Sequence, residues 1–136
     1  MVLDKLIAIA STFADEQYMD IIINLNRTPH HQVKEYLQSQ LSYGEYIDLT
    51  ENNLTFEDML KIPKKILSVL KRPYMKIGIA LTGHPLMQLL ALSTAIASHD
   101  LVYALIWLPD IKLYYIKKFK KFSSTFVNPK KNNYDI

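Results

Sequence analysis

The longest stretch without a formal charge is the feature that most constrains how this chain folds. Residues 77–98, IGIALTGHPLMQLLALSTAIAS, contain no Asp, Glu, Lys or Arg and are long enough to cross a bilayer as one helix. Pro85 interrupts the stretch, however, and it follows Thr82, Gly83 and His84, which are typical of a turn. The stretch therefore predicts a strand, a turn and a helix, and no membrane span is expected.

The flanking residues extend this pattern into an alternation of strands and helices. The segment MKIGIAL at 75–81 and the segment LVYALIWL at 101–108 are almost wholly apolar, which is typical of buried strands in parallel sheets. The helix predicted between them begins at Pro85 and would connect the two strands across one face of the sheet. We therefore expect a β-α-β unit here.

An earlier segment predicts a second unit of the same kind. Residues 19–26 contain the β-branched run III and predict a strand. Thr28 followed by Pro29 is a helix-start signal, so a helix is expected to begin there and to continue to residue 41. Gly44 is expected to lie in the turn that closes this helix, and YIDL at 46–49 predicts a short second strand.

Capping and proline signals predict the next helical segment. Thr55 with Asp58 three residues later matches a capping box, so a helix is expected to begin at residue 56. Pro63 is expected to break or restart this helix, and Pro73 to end it.

The two ends of the chain are predicted to differ from the middle. Residues 1–18 are expected to form an accessory amphipathic helix, and residues 1–122 a single α/β domain. Two alternatives stand for the basic segment after residue 110: an edge strand over 111–115 or a basic amphipathic helix. Residues 123–136 are expected to be disordered.

Composition excludes several classes of site. The chain has no cysteine, so it has no disulfide, thiolate metal site or cysteine nucleophile, which fits a reducing, cytoplasmic location. Its four histidines show no HxxxH or HExxH spacing, so neither a metal nor a cofactor is expected. Residues 111–136 carry seven lysines and one aspartate. Four of these lysines alternate with aromatic residues, and they form a candidate surface for nucleic acid or an anionic membrane. They are Lys117, Lys118, Lys120 and Lys121.

The candidate site lies where two predicted strands end. Because the carboxyl ends of parallel strands meet at one edge, the turns at 26–28 and 82–84 are expected to lie close together. A helix N-terminus at that edge offers N–H groups to an anion, the guanidinium of Arg27 suits a phosphate, and His84 could act as a general base. The alternative is that these residues form ordinary turns. The candidate ligand-binding residues are Asn26, Arg27, Thr28, Thr82, Gly83 and His84.

The segments INLNRTPHHQ and IGIALTGHPLMQLLALSTAIA, in the layout of residues 19 to about 110, resemble the small ancillary proteins of type III CRISPR systems. These proteins have a compact CARF-like fold and bind or cleave cyclic oligoadenylate. The family commonly has a histidine in its first turn, where this chain has Thr28. The resemblance implies an α/β, Rossmann-like three-layer sandwich with about four mainly parallel strands and an extra N-terminal helix.

The resemblance also implies a function in antiviral signalling. The expected ligand is cyclic oligoadenylate, bound by a cytoplasmic homodimer in a two-fold pocket. A metal-independent ring nuclease would use each ribose 2′-OH to attack the adjacent phosphate, with Arg27 and His84 as the candidate catalytic residues. The alternatives are a non-catalytic protein-interaction module and a protein that associates with membranes or nucleic acid through its basic segment.

Overall fold

The chain folds around one mixed β-sheet with helices on both faces, so the predicted α/β class is confirmed. A computed structural model describes residues 18–120, and the predicted N-terminal helix, the predicted tail and Lys121 lie outside this range. The strands are β1 (Tyr18–Arg27), β2 (Ser42–Glu51), β3 (Ile77–Ala80), β4 (Leu101–Leu108) and β5 (Leu113–Lys120). The helices are α1 (Val33–Gln38), α2 (Phe56–Leu60), α3 (Ile62–Val69) and α4 (Pro85–Ser98).

The sheet has the strand order β2-β1-β3-β4-β5. Strands β1 to β4 run parallel to their neighbours, and β5 pairs antiparallel with β4. Among residues 18–120, β5 is therefore an edge strand, although it begins at Leu113 and extends past the predicted end at residue 115, and the alternative prediction of a helix there is wrong. Tyr114 and Ile116 alternate with more exposed residues along β5, which is the two-residue period of a strand.

The apolar residues of β1 supply two separate cores. Ile21 and Ile23 pack with residues of α3 and α4 on one face, and Ile22 packs with residues of α1 and β5 on the other. Successive side chains of a strand point to opposite faces, so an uninterrupted apolar run is required where both faces are covered. The run III in β1 meets this requirement.

The first helix is shorter than predicted. The proposed helix start at Thr28 and Pro29 is wrong, because Thr28 pairs with His31 in an antiparallel bridge and the chain turns before α1 begins at Val33. The N-cap residue is Gln32, and its side chain makes no capping hydrogen bond. The turn at 28–31 therefore projects from the end of β1.

The second strand is longer than predicted, since Ser42–Gly44 belong to β2 and not to a turn. Ser42 pairs in register with Tyr18 of β1. An added Cβ at Gly44 would lie 2.8 Å from the Tyr18 hydroxyl oxygen and 2.9 Å from the carbonyl oxygen of Asp20. Glycine is required here for the close approach of β1 rather than for a turn.

The remaining local signals are confirmed. Thr55 and Asp58 form the capping box of α2, and Pro63 lies in the first turn of α3. The uncharged stretch 77–98 divides into β3, a turn and α4, whose N-cap residue is His84. Within residues 18–120 the longest apolar helix is too short to cross a membrane.

Candidate functional site

The carboxyl ends of β1 and β3 border a crevice. After β1 the chain passes through α1, on one face of the sheet, to β2 on one side of the crevice, and after β3 it passes through α4, on the opposite face, to β4 on the other side. Diverging connections of this kind leave ligand-binding space beyond the strand ends. An added Cβ at Gly83 would lie 2.9 Å from the Cβ of Asn26, so the two predicted turns do come together.

The turn at 28–31 separates two cavities, because Thr28 and Pro29 line both of them. The β3-side cavity has a volume of about 680 Å³, and its lining includes Asn26, His30, Asn52, Leu54, Met59, Gly83, His84 and Met87. The β2-side cavity has a volume of about 380 Å³, and its lining includes Asn24, Arg27, His31, Lys34, Tyr46 and Asp48. Both volumes lie within the roughly 300–1,000 Å³ of small-molecule sites.

A chain of hydrogen bonds links the three strands below the crevice. The Thr82 hydroxyl donates to Asn24 Oδ1 at 2.6 Å and accepts from the backbone N–H of Asn26 at 2.8 Å. Asn24 Nδ2 donates to Asp48 Oδ1 at 2.9 Å, and the Tyr46 hydroxyl donates to the same oxygen at 3.0 Å. Thr82 lines neither of the two cavities, so its geometry indicates a structural role beneath them.

Asn26 connects the chain of hydrogen bonds with the β3-side cavity, since its backbone N–H donates to Thr82 and the residue lines the cavity. Its Nδ2 donates to the carbonyl oxygen of Asn52 at 3.0 Å, which fixes the orientation of the amide. Its Oδ1 is buried and has no hydrogen-bond partner within residues 18–120. Buried acceptors without a donor are rare and cost about 1–3 kcal/mol. Asn26 Oδ1 is therefore a buried acceptor that no donor of the described residues satisfies.

His84 is oriented by its capping role. Its Nδ1 accepts a hydrogen bond from the backbone N–H of Leu86 at 3.0 Å, so the neutral ring has its proton on Nε2. The ring is exposed at the β3-side cavity and offers it a donor. Pro85 has no N–H, so α4 offers an anion fewer backbone donors than expected. This geometry favours hydrogen-bond donation by His84 over proton abstraction.

Arg27 lies on the other side of the turn from His84. Its guanidinium is largely exposed and approaches Glu51 Oε1 only to 3.9 Å. It lines the β2-side cavity and not the β3-side cavity. Of the predicted residues, the structure thus brings Asn26, Thr28, Gly83 and His84 together in the lining of the β3-side cavity. Arg27 lies with Thr28 in the β2-side cavity and in a smaller cavity of about 180 Å³ that Asn52 also lines, and it does not share a cavity with His84.

A cluster of aromatic rings supports the β2-side cavity. His31 Nε2 lies 2.5 Å from the Tyr114 hydroxyl, and its ring stacks on Tyr36 and meets Trp107 edge-on. Burial lowers the pKa of His31 and raises the pKa of Tyr114. The side chain of Gln40 also makes two hydrogen bonds to the backbone of Tyr114, at 2.8 and 2.7 Å. These contacts fix the turn and α1 against β5.

The lysines of the basic segment occupy both faces of β5. Lys117 is followed at once by Lys118, so the two side chains point to opposite faces of the strand, and Lys120 shares the face of Lys118. Tyr114 is buried and does not offer a ring for stacking with a base. Nucleic-acid contact by this segment stays a prediction.

Sequence reasoning missed several residues that line the two cavities. Asn24 was not predicted, although it lies two residues before the predicted Asn26 in an apolar strand, and this period-two signal indicates a shared role. Lys34 and Tyr46 have no comparable signal, because only the packing of α1 brings them together. Residues 18–120 contain no group of three or more His, Asp or Glu side chains placed to bind a metal.

The comparisons with known proteins assign no family to the chain. Protein-family models, curated proteins and solved structures all give no match. A proposal for the function therefore depends on the geometry of the crevice and on the resemblance in layout.

Proposed function

We propose that the chain binds a nucleotide in the β3-side cavity, and that the ligand is cyclic oligoadenylate. The observation that carries this proposal is the mixed lining of the cavity. Its lining combines polar side chains, among them Asn52 and His84, with the apolar side chains of Leu54 and Met87. A nucleobase has two apolar faces and a polar edge, and asparagine amides match the edge of adenine.

The position of the cavity and the resemblance in layout add to this argument. The cavity lies between the ends of β1 and β3, whose following connections lead to opposite sides of the sheet. Open α/β sheets bind nucleotides at such a position. Helices on both faces accord with the Rossmann-like sandwich that the resemblance implies. The resemblance also implies the adenylate ligand and a cytoplasmic location.

The ligand is larger than one cavity, so we propose that two copies of the chain bind it together. A volume of about 680 Å³ suits part of a cyclic tetra-adenylate rather than the whole ring. Phe56 and Leu60, in the same short helix as the cavity-lining Met59, are 62% and 53% exposed. Leu89, two residues after the cavity-lining Met87 in α4, is 67% exposed. Exposed apolar side chains beside a pocket favour burial by a partner. A second copy would cover them and complete the pocket.

The geometry supports binding better than cleavage. Attack by a ribose 2′-OH needs a group that takes up its proton and a cation at the phosphate. The Nε2 atom of neutral His84 already has a proton, and Arg27 lies in the other cavity. We therefore propose a protein that retains the ligand without cutting it.

The test uses labelled cyclic tetra-adenylate and hexa-adenylate with the purified chain in EDTA. We expect retention of one ligand, no linear product, and a dimer in sedimentation. Asn52→Ala and His84→Ala should each weaken binding about 3- to 10-fold, as expected for one hydrogen bond. Ser93→Ala, an exposed position of α4 outside the cavity lining, is the matched control. Linear products would assign ring cleavage instead, and failure of both ligands to bind would contradict the proposal.

A further inference from the structure

The β2-side cavity presents charged groups that the proposed function does not use. It lies between β1, β2 and α1, on the other side of the turn at 28–31 from the β3-side cavity. Its lining includes one carboxylate and two cationic side chains, which are Asp48, Arg27 and Lys34. An inference about this cavity therefore stands independently of the adenylate proposal.

The carboxylate of Asp48 is oriented by two neutral donors. Its Oδ1 accepts from the Tyr46 hydroxyl at 3.0 Å and from Asn24 Nδ2 at 2.9 Å. Its Oδ2 accepts no hydrogen bond from any residue in the range 18–120, and the residue is exposed at the cavity. Burial and the neighbouring carboxylate raise the pKa of Tyr46, so its hydroxyl stays a donor at neutral pH. Oδ2 is thus a fixed acceptor for a hydroxyl group of a ligand.

Neither cation has a strong partner of its own. The ammonium of Lys34 lies 5.0 Å from the ring centroid of Tyr46 and makes no ion pair in the described part of the chain. The guanidinium of Arg27 has only the 3.9 Å contact with Glu51, and both side chains are largely exposed. Exposed pairs of this length contribute little, so Arg27 is available to a ligand.

We propose that the β2-side cavity binds a sugar phosphate, with the phosphate at Arg27 and Lys34 and a sugar hydroxyl at Asp48. A phosphate dianion matches both cations, and arginine can donate two parallel hydrogen bonds to it. A bare anion would leave Asp48 Oδ2 without a donor and would be repelled by the carboxylate charge. An amino acid would supply only one negative charge against two cations. A phosphate that also offers hydroxyl groups satisfies all three side chains.

The test is a titration followed by amide chemical shifts, with ribose 5-phosphate, ribose and inorganic phosphate compared at one ionic strength. Ribose 5-phosphate should bind at least about tenfold more tightly than either of the others, since each alone lacks one charge-assisted contact. Asp48→Asn keeps an acceptor for Asn24 and Tyr46, and it should weaken ribose 5-phosphate binding about tenfold without weakening inorganic phosphate. Lys34→Gln should weaken both phosphates.

Two controls make the result specific to this cavity. Asn53 is exposed and lines the β3-side cavity but not the β2-side cavity, so Asn53→Ala should leave ribose 5-phosphate binding unchanged. The probe has no base, so failure of cyclic oligoadenylate to bind would not affect this test. Equal affinity for ribose 5-phosphate and inorganic phosphate, or an Asp48→Asn variant that binds ribose 5-phosphate normally, would overturn the proposal. Loss of binding in Asn53→Ala would do the same.

Discussion

Replacing Thr82 with valine tests whether the hydrogen-bond chain beneath the crevice holds β1 against β3. The Thr82 hydroxyl donates to Asn24 Oδ1 at 2.6 Å and accepts from the Asn26 N–H at 2.8 Å. Asn24 and Asn26 are only 2% and 9% exposed. Valine keeps the shape of the side chain but leaves one buried acceptor and one buried donor without partners. Because each of the two groups costs about 1–3 kcal/mol, the free energy of unfolding should fall by about 2–6 kcal/mol.

Urea unfolding of the full chain, followed by Trp107 fluorescence and far-UV circular dichroism, measures this loss. With a urea dependence of about 1–3 kcal/mol/M for a small protein, the midpoint should fall by about 1 M or more. Thr82→Ser keeps the hydroxyl and removes one methyl group, so it should lose only about 1 kcal/mol. A valine variant within about 0.5 kcal/mol of the natural chain, or a serine variant as unstable as the valine variant, would refute the reasoning.

Three further predictions concern local conformation and pH. Gly83 has a φ of +84°, and an added Cβ would lie 2.9 Å from the Cβ of Asn26. Gly83→Ala should therefore lower the free energy of unfolding by about 1–3 kcal/mol in the same urea assay. An unchanged midpoint would contradict this prediction. Burial lowers the pKa of His31, so the unfolded chain binds a proton first as pH falls below about 6.5. The natural chain should lose stability between pH 7.5 and 5.5 more steeply than His31→Gln, and parallel curves would show that His31 does not contribute. The backbone N–H of Thr55 lowers the pKa of Asp58, so its stabilising contribution is present above about pH 4 and is lost as pH falls through the folded-state pKa. The difference between the natural chain and Asp58→Asn should therefore shrink below about pH 4 in thermal unfolding.

The elements with strong local signals were predictable from the sequence. The predicted strand 101–108 coincides with β4, and Pro85 begins α4 as expected. The capping box at Thr55 was also identified correctly. In each case the signal lies within the element itself, in an apolar run, a proline or a capping side chain.

The elements that depend on partners were harder to predict. Ser42–Gly44 join β2 because β1 pairs with them, although their composition is typical of a turn. The helix predicted from Thr28 begins only at Val33, because the backbones of Thr28 and His31 pair with each other in a bridge instead. Competition between alternative hydrogen-bond partners decides both cases, and a single segment of sequence does not contain the partner.

The candidate site was predictable at the level of the crevice but not of its division. Parallel strands bring the turns at 26–28 and 82–84 together, as expected from their positions. The shared wall of Thr28 and Pro29 then separates Arg27 from His84, which proximity in sequence does not indicate. The second cavity depends on where α1 packs, and so Lys34 and Tyr46 were not identified.

Lysines lie along the strand that forms one edge of the described sheet. Within residues 18–120, β5 is an outer strand, and outer strands present unpaired backbone groups that attract strands of other molecules. Lys117, Lys118 and Lys120 line this edge, so a second copy added there would bring like charges together. The basic segment therefore protects the sheet from edge-to-edge aggregation. The proposed dimer would therefore form through another surface, and Phe56 and Leu89 are exposed on helices of one face.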